Sequence, residues 1–461
     1  MTSNIFFRSL LICVIASSCK KFTDVNAPSS QLVTATVFTS DATLKSAIAG
    51  MYSVIASTNA ETMQYELSVL PSTSADEIRY LTSNVSYDPF TNNALTTNDP
   101  MTLDMWTGLY NTNYYANSLI AGIQGSSGGL SDSLSREAIA EGKFIRAFCH
   151  FYLVNLYGDV PIATTTNAAV NNSLFRSPAD SVYAQIIRDL KDAQAGMKAD
   201  YSYANGERTR PNKYAAAALL SRAYLYTNDW ANAEAIATTL INYSSLYKLT
   251  DISKTFLKNN TEAIWQMSSP VYSGYTLEGQ YYNYGAYSSS PNFVLTSSLL
   301  AAFEPGDLRF TNWVNTETYT DDTITYYYPY KYKQRTTNTS SAGEYWTPLR
   351  LGEQYLIRAE ARANQKNLTG AIEDINVIRT RAGLANTTAV SQSDVLTAIE
   401  QERRIELFCE YGHRWYDLKR TNRADAVLSV DKSGWTSHAA LFPIPQLERN
   451  NNTNLSQNNG Y

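Results

Sequence analysis

The serine at the centre of residues 125–129 is the first residue whose setting could support catalysis. This segment reads GSSGG and formally matches the G-x-S-x-G pattern of a nucleophile elbow. Such an elbow holds its serine on a sharp turn between a strand and a helix. Here the pattern lies between two helical segments, in a run of Gly and Ser that is typical of a turn. We therefore predict a turn at Ser127 and no nucleophile.

The carboxylates and histidines of the sequence do not form a recognisable catalytic or metal-binding motif. A glycosidase needs two carboxylates at a defined separation around a cleft, and no motif marks such a pair. Acids such as Asp321 and Asp322 nevertheless keep a surface glycosidase open as a distant alternative. His150, His413 and His438 do not have the spacing of metal ligands. The sequence predicts no catalytic residue, no metal site and no cofactor.

Tyrosine is the residue type whose abundance points to a function. The chain has 34 Tyr, 15 Phe and 7 Trp. Two stretches, 272–293 and 319–332, hold six tyrosines each among Gly, Ser, Asn and Pro, a composition of loops or short strands. An aromatic ring gives the apolar C–H face of a sugar a flat partner, and Tyr is ordered at little entropic cost. This pattern favours a surface that stacks on sugar rings.

Composition excludes several other classes of protein. The 461 residues are 44% hydrophobic and 17% charged, which predicts a folded chain. A net charge of −5 argues against a nucleic-acid partner, which a basic balance would attract. Four cysteines (Cys13, Cys19, Cys149 and Cys409) are too few for a disulfide scaffold or a cysteine zinc cluster.

The N-terminus resembles a bacterial lipoprotein signal. Arg8 precedes the short apolar run Leu10–Ala16, and two serines then lead to Cys19. A transmembrane helix needs about 18 or more apolar residues, so this run is too short to be one. We predict a signal peptide over 1–18 and lipidation of Cys19, whose acyl chains would contribute about 0.8 kcal/mol per buried CH₂. An ordinary secretory signal remains the alternative.

Apolar residues recur at helical spacing through most of the chain. Two segments, 219–241 and 356–378, both read as helix, short polar turn and helix. Small residues such as Ala223 and Ala361 stand where the helices must approach closely. This is the logic of tetratricopeptide repeats, which bury their faces by stacking, although ordinary antiparallel helices would give a similar pattern.

These patterns together predict a mostly α fold. It comprises a tetratricopeptide-like scaffold of helical hairpins and a tyrosine-rich, loop-rich insertion containing short β segments. The predicted divisions are a signal peptide (1–18), a lipid-anchored linker (19–40), a helical region with a ligand-binding loop at 74–98 (41–245), the aromatic insertion (246–348) and a C-terminal helical unit (349–461).

Three segments resemble the SusD/RagB family of nutrient-binding outer-membrane lipoproteins. They are FIRAFCHFYLVNLYGDVPI (144–162), QERRIELFCEYGHRWYDLKR (401–420) and LFPIPQLERNNNTNLSQNNGY (441–461). The charges of 401–420 stand at helical spacing, with Glu402 and Glu406 flanking two arginines, so we interpret this motif as a salt-bridged packing element and not as an active site.

The family resemblance implies a SusD-like fold, a position in the outer membrane and a role. In that role a lipid-anchored, surface-exposed protein binds oligosaccharide without catalysis and delivers it to a SusC-like TonB-dependent transporter. Peptide cargo is the alternative that the RagB side of the family suggests. A repeat scaffold that binds only protein is a further alternative, although its aromatics should then line the helices.

Ligand contacts in this family tend to come from an N-terminal loop and from the later loop-rich region. By position, this implies one set of residues in the loop at 74–98 and another in the insertion. The candidates are Asp76, Arg79, Tyr80, Phe90 and Asn93 in the loop, and Tyr281, Tyr282, Tyr284 and Trp313 in the insertion.

Overall fold

A computed structural model describes residues 37–55, 58–268, 274–283, 291–318, 324–336 and 343–461. Over these residues the chain forms eighteen α-helices and six short strands, which confirms the predicted fold class. The predicted lipidation at Cys19 and the candidate residues Tyr284, Asp321 and Asp322 lie outside the described residues.

Long helices with defined caps make up the N-terminal half. Asp99 caps one of them by accepting a hydrogen bond from the Thr102 amide, and Pro100 occupies its first position. Gly158, with φ of 76°, ends the next long helix. The elements are α1 (Asp41–Ile55), α2 (Thr58–Ser74), β1 (Ile78–Tyr80), α3 (Asp88–Thr91), α4 (Pro100–Gln124), α5 (Asp132–Tyr157), α6 (Ala168–Asn171), α7 (Ala179–Gly196), α8 (Lys213–Tyr226) and α9 (Trp230–Asn242).

Short elements replace long helices after α9. They are β2 (Ala263–Met267), α10 (Leu277–Tyr282), β3 (Phe293–Leu295), α11 (Ser297–Ala302), α12 (Leu308–Trp313), β4 (Val314–Thr318), β5 (Thr325–Pro329) and β6 (Trp346–Arg350). The strands form three antiparallel pairs, β1–β3, β2–β6 and β4–β5. Tyr281 and Tyr282 lie on a short helix and not on the loop or strand expected for the tyrosine-rich stretch. The helix forms there because the Thr276 side chain caps α10 by accepting a hydrogen bond from the Gly279 amide.

The C-terminal part is again helical. Its helices are α13 (Leu351–Asn364), α14 (Leu368–Arg381), α15 (Gln392–Glu406), α16 (His413–Arg420), α17 (Ala424–Asp431) and α18 (Gln446–Asn451).

The two repeat-like segments form hairpins with the same local geometry. The α8–α9 turn contains Asn228 at φ of 58°, and the α13–α14 turn contains Lys366 at φ of 66°. The next residue in each turn, Asp229 or Asn367, caps the second helix by accepting a backbone hydrogen bond. The matching turns explain why the two segments look alike in the sequence.

The hairpins stack into one continuous scaffold. Helix α5 packs against α4 and α7, α7 packs on α8, and α8 packs on α9. Helix α9 then packs directly on α13, which also contacts α14 and α15. The chain between α9 and α13 therefore leaves the stack and returns to it, and the strands β2 to β6 lie on this excursion.

The 401–420 motif contributes buried ion pairs, as predicted for a packing element. The Glu406 carboxylate lies within ion-pair distance of Arg309, Arg350 and Arg381. All four side chains are buried or nearly so. The motif thus ties α15 to the insertion and to α14.

Candidate aromatic binding site

A short strand pairing brings the N-terminal loop and the insertion together. In the β1–β3 pair, Arg79 lies opposite Val294 and Tyr80 lies opposite Phe293. The pairing continues through the Leu81 amide, which donates to the Asn292 carbonyl at 2.8 Å. Two segments far apart in the sequence therefore form one surface.

Six aromatic side chains form a cluster at this junction. The rings of Tyr80 and Tyr87 stack with centroids 5.0 Å apart and an interplanar angle of 7°. Phe293 meets both of these rings edge-on. The aromatic cluster consists of Tyr65, Tyr80, Tyr87, Tyr281, Tyr282 and Phe293.

The cluster has a buried base and an exposed edge. Tyr281 is 41% exposed and packs on Tyr65, with ring centroids 5.0 Å apart. Tyr80 and Tyr87 are half-buried, whereas Tyr65, Tyr282 and Phe293 are buried. A buried base that holds exposed rings in fixed orientations is suited to stacking against a flat apolar face.

Polar groups border the exposed rings. The Tyr80 hydroxyl donates to Asn292 Oδ1 at 3.4 Å, and Asn292 Nδ2 donates to the Tyr281 carbonyl at 3.2 Å. Arg79 is exposed, and its guanidinium donates to the backbone carbonyls of Tyr80 and Leu81. Hydroxyls of a stacked ring would therefore find both donors and acceptors beside the aromatic surface.

Three candidate residues of the N-terminal loop have interior positions instead. Asp76 is buried and its carboxylate binds Arg404 and Arg414. Phe90 is buried against Phe442, and the buried Asn93 donates from Nδ2 to the Ser74 carbonyl. The expectation that these side chains face a ligand is not supported, because each one is occupied by contacts within the protein.

Two candidates in the insertion are also buried. Trp313 is 1% exposed, and its indole N–H donates to the Ile252 carbonyl at 3.0 Å. Tyr282 is 3% exposed and packs edge-on against Phe293 at the base of the aromatic cluster. Of the candidates that the structure describes, Arg79, Tyr80 and Tyr281 are the ones that reach the surface of the site.

Sequence reasoning missed three members of the aromatic cluster. Tyr87 lies within the expected loop at 74–98, so its residue type and position could have identified it. Tyr65 lies on α2 and Phe293 on β3, and neither differs in the sequence from an ordinary core aromatic. The strand pairing that selects them is a long-range contact with no local signal.

Helix α10 carries a buried carboxyl beneath the site, which predicts a pH effect. Burial raises the pKa of Glu278 from 4.5 to about 7, so the folded state binds the proton more tightly than the unfolded state does. Stability should therefore fall as the pH rises from 4.5 to 7. Glu278→Gln keeps an acceptor for the Trp346 indole N–H but removes the titration. We expect wild type to lose about 2 kcal/mol more unfolding free energy than this variant between pH 5 and 8.

Urea denaturation at the two pH values measures this difference. Glu77 serves as an internal reference, because burial also raises its pKa to about 7 and it is intact in both proteins. An equal loss of stability in wild type and Glu278→Gln would contradict the assignment.

The segment with the G-x-S-x-G pattern is a connection between helices. Gly125 directly follows α4, and α5 begins at Asp132.

Within the described ranges, no group of three or more His, Cys, Asp or Glu side chains is arranged to hold a metal ion. None of the helices in those ranges combines the length and apolar character needed to cross a bilayer.

Comparison with known proteins places this architecture in one family. The family model described as "SusD family" matches residues 193–461, and the model described as "Starch-binding associating with outer membrane" matches residues 21–225. A SusD-like protein of Formosa agariphila is 24% identical, over 96% of this chain and 97% of that protein.

Solved structures share the fold. A SusD superfamily protein from Bacteroides vulgatus superposes with a TM-score of 0.79 at 21% identity, covering 92% of this chain and 100% of that one. A laminarin-binding SusD-like protein gives a TM-score of 0.78 at 24% identity, with the same two coverages. Because the SusD family model matches more than half of the residues, the chain belongs to the SusD family.

Proposed function

We propose that this protein is a non-catalytic, lipid-anchored glycan-binding protein of the outer membrane. It captures oligosaccharides on the aromatic cluster and passes them to a SusC-like TonB-dependent transporter. The family assignment, the starch-binding description of the N-terminal family model and the laminarin-binding structural neighbour support this role.

The stacked Tyr80–Tyr87 pair beside the exposed Tyr281 carries the proposal. Sugar rings have apolar C–H faces and a rim of hydroxyls, so they need a flat apolar partner bordered by polar groups. The exposed edge of the aromatic cluster supplies the flat partner, while Arg79 and Asn292 supply the polar border. Because an exposed aromatic contact contributes only about 1 kcal/mol, we expect a dissociation constant in the micromolar range or weaker.

Removing the half-buried Tyr80 ring or the exposed Tyr281 ring should weaken binding without unfolding the protein. We expect Tyr80→Ala and Tyr281→Ala each to raise the dissociation constant for laminarin about fivefold to tenfold, since each removes a stacking face worth about 1 kcal/mol. Isothermal titration calorimetry of the full chain with laminarin and with starch measures this. Tyr115→Ala is the matched control, because Tyr115 is 40% exposed on α4 and outside the aromatic cluster.

Each other outcome of this titration has a definite meaning. Unchanged affinity in both variants would move the glycan site away from the aromatic cluster. If the protein bound a peptide mixture but neither glycan, its cargo would be peptide and not oligosaccharide. Release of reducing sugar during the titration would show that the protein hydrolyses the glycan and is an enzyme.

Delivery requires the cargo to leave as easily as it arrives. Weak stacking serves this step, because a tightly held glycan would not transfer to the transporter. We propose that the helical scaffold meets the transporter while the aromatic cluster holds cargo, with the acyl chains on Cys19 keeping the protein at the membrane.

A further inference from the structure

Two arginines border the aromatic cluster, and within the described part of the chain neither one pairs with a carboxylate. Arg79 lies on β1 next to Tyr80, and Arg335 lies after β5. Arg404 and Arg414, in contrast, share the buried carboxylate of the same N-terminal loop. The border of the site therefore carries positive charge that no acid of the described chain neutralises by direct pairing.

Arg79 is fixed at the end of the β1–β3 pair with one edge of its guanidinium open. Its Nη1 donates to the Tyr80 carbonyl at 3.3 Å and to the Leu81 carbonyl at 3.0 Å. The Leu81 amide donates to the Asn292 carbonyl, and the Asn292 side chain bonds both Tyr80 and Tyr281. The guanidinium thus lies at the same end of the strand pair as this polar link between the rings.

The open edge of Arg79 has the geometry that binds a carboxylate. Nε and Nη2 have no partner among the described residues, and the side chain is exposed. Their N–H groups point side by side, an arrangement that a carboxylate accepts with both of its oxygens.

Arg335 reaches the cluster through α10. Its Nε donates to the Gln280 carbonyl over 3.5 Å, and Gln280 directly precedes the exposed Tyr281. Helix α10 lies against this segment so closely that Gly279 has no room for a Cβ beside the Gln334 carbonyl. The two Nη atoms of the half-buried Arg335 have no partner in the described ranges. A second guanidinium edge is therefore available near Tyr281.

The remaining acids of the loop and of α10 leave this positive charge in excess. Asp88 is half-buried, and its carboxylate already accepts from the Ser83 hydroxyl at 2.6 Å and the Asn84 amide at 3.0 Å. Burial raises the pKa of Glu77 and of Glu278 to about 7, so both are mostly protonated at pH 6. Two guanidinium charges then stand against one carboxylate, a balance that attracts an anionic ligand.

We propose that the cargo of the aromatic cluster is an acidic oligosaccharide, whose carboxylates bind the open edges of Arg79 and Arg335 while its sugar rings stack on Tyr80 and Tyr281. This inference rests on the proposed glycan-binding function and names the class of glycan. The rings supply a contact that any sugar can use, and the arginines select the charged one.

Isothermal titration calorimetry of the full chain at pH 6 tests this with two matched pairs of probes. One pair is laminarin and laminarin oxidised at C6 to the uronate, and the other is an oligogalacturonate methyl ester and the free acid. We expect the acidic member of a pair to bind about fivefold or more tightly than the neutral member. Raising NaCl from about 20 mM to about 500 mM should reduce this ratio about twofold or more, because salt screens exposed charges.

The arginine variants should lower the ratio of acidic to neutral affinity. We expect Arg79→Gln and Arg335→Gln each to reduce it about threefold or more, and Arg79→Lys to keep part of it, because lysine retains the charge without the planar fork. The neutral probe reports whether the site is still formed in each variant. Arg188→Gln is the matched control and should leave the ratio unchanged, because Arg188 is an exposed arginine on α7 that bonds Gln185.

The outcomes separate this inference from the proposed function. If the members of a pair bind equally and Tyr281→Ala weakens both, glycan capture stands and the selection of acidic glycans is overturned. An acidic preference that persists unchanged in both Arg79→Gln and Arg335→Gln also overturns it. If no probe binds, or if Tyr281→Ala leaves both members unchanged, glycan capture at the aromatic cluster is overturned and the inference with it.

Discussion

Replacing Glu406 by Ala is expected to lower the free energy of unfolding by about 3–5 kcal/mol. The Glu406 carboxylate is buried and lies 2.6 Å from Arg350 Nη1 and 3.2 Å from Arg309 Nη1, and it also binds Arg381. Truncation leaves these guanidinium groups buried without their shared partner, and breaking a buried ion pair from one side typically costs this much.

Urea denaturation at pH 7 measures the loss, and Glu304→Ala is its control. Glu304 also pairs with an arginine, Arg379, but its side chain is 43% exposed, so its removal should cost about 1 kcal/mol or less. Equal losses in the two variants would contradict the central position of Glu406 in the ion-pair network.

The ion pairs of Glu406 also predict how the stability that its carboxylate provides depends on pH. Burial alone would raise the pKa of Glu406, but the guanidinium groups of Arg381, Arg350 and Arg309 outweigh burial and hold it well below its ordinary value of 4.5. Because the folded-state pKa is depressed, the stabilisation is complete above pH 4.5 and is lost as the pH falls toward the folded-state value. The difference between wild type and Glu406→Ala should shrink correspondingly in acid.

Local signals explain why the scaffold could be predicted. Apolar spacing, a short polar turn and small residues, all within about 25 positions, predict a helical hairpin such as α8–α9. The cap at Asp229 and the left-handed Asn228 are set by neighbours in sequence. Features determined within such a window can be recognised without knowledge of the fold.

Partners of the buried charges could not be predicted in this way. Spacing indicated that Glu402 and Glu406 flank arginines of their own helix, whereas Glu402 binds Arg309 and Arg379. Arg309 lies on α12 in the insertion and Arg379 lies on α14, so each pair joins two elements that are separate in the sequence. A helical pattern of charges identifies a salt-bridged helix but contains no information on which distant element supplies the opposite charge.

The aromatic cluster also depends on a contact between segments that are distant in the sequence. Tyr80 and Tyr281 were both singled out, but only the β1–β3 pairing brings their segments together. The same reasoning by position also selected Asp76 and Trp313, which the fold buries. Residue type distinguishes an exposed tyrosine from a buried one poorly, because both roles use an aromatic ring with a polar tip.

Replacing Asp76 by Ala distinguishes a structural role from a ligand contact. Asp76 accepts hydrogen bonds from Arg414 Nε at 2.8 Å and from Arg404 Nη2 at 2.6 Å. Burial would raise the pKa of its carboxyl, but the hydrogen bond and charge of Arg414, with the charge of Arg404, lower it, so Asp76 is ionised near neutral pH. We expect Asp76→Ala to lower the free energy of unfolding by about 3–5 kcal/mol, because the buried Arg414 and the partly buried Arg404 lose their carboxylate.

Binding and stability should respond in opposite ways at Asp76 and at Tyr80. While the Asp76→Ala protein remains folded, its dissociation constant for laminarin should stay within about twofold of wild type, because the carboxylate faces arginines and not the surface. Tyr80→Ala should weaken binding and cost little stability. Asp192→Ala, which removes a carboxylate that is 58% exposed in its pair with Lys143, should change neither quantity measurably. A stable Asp76→Ala protein with tenfold weaker binding would restore Asp76 as a ligand contact, so calorimetry and urea denaturation on these three variants decide between the two roles.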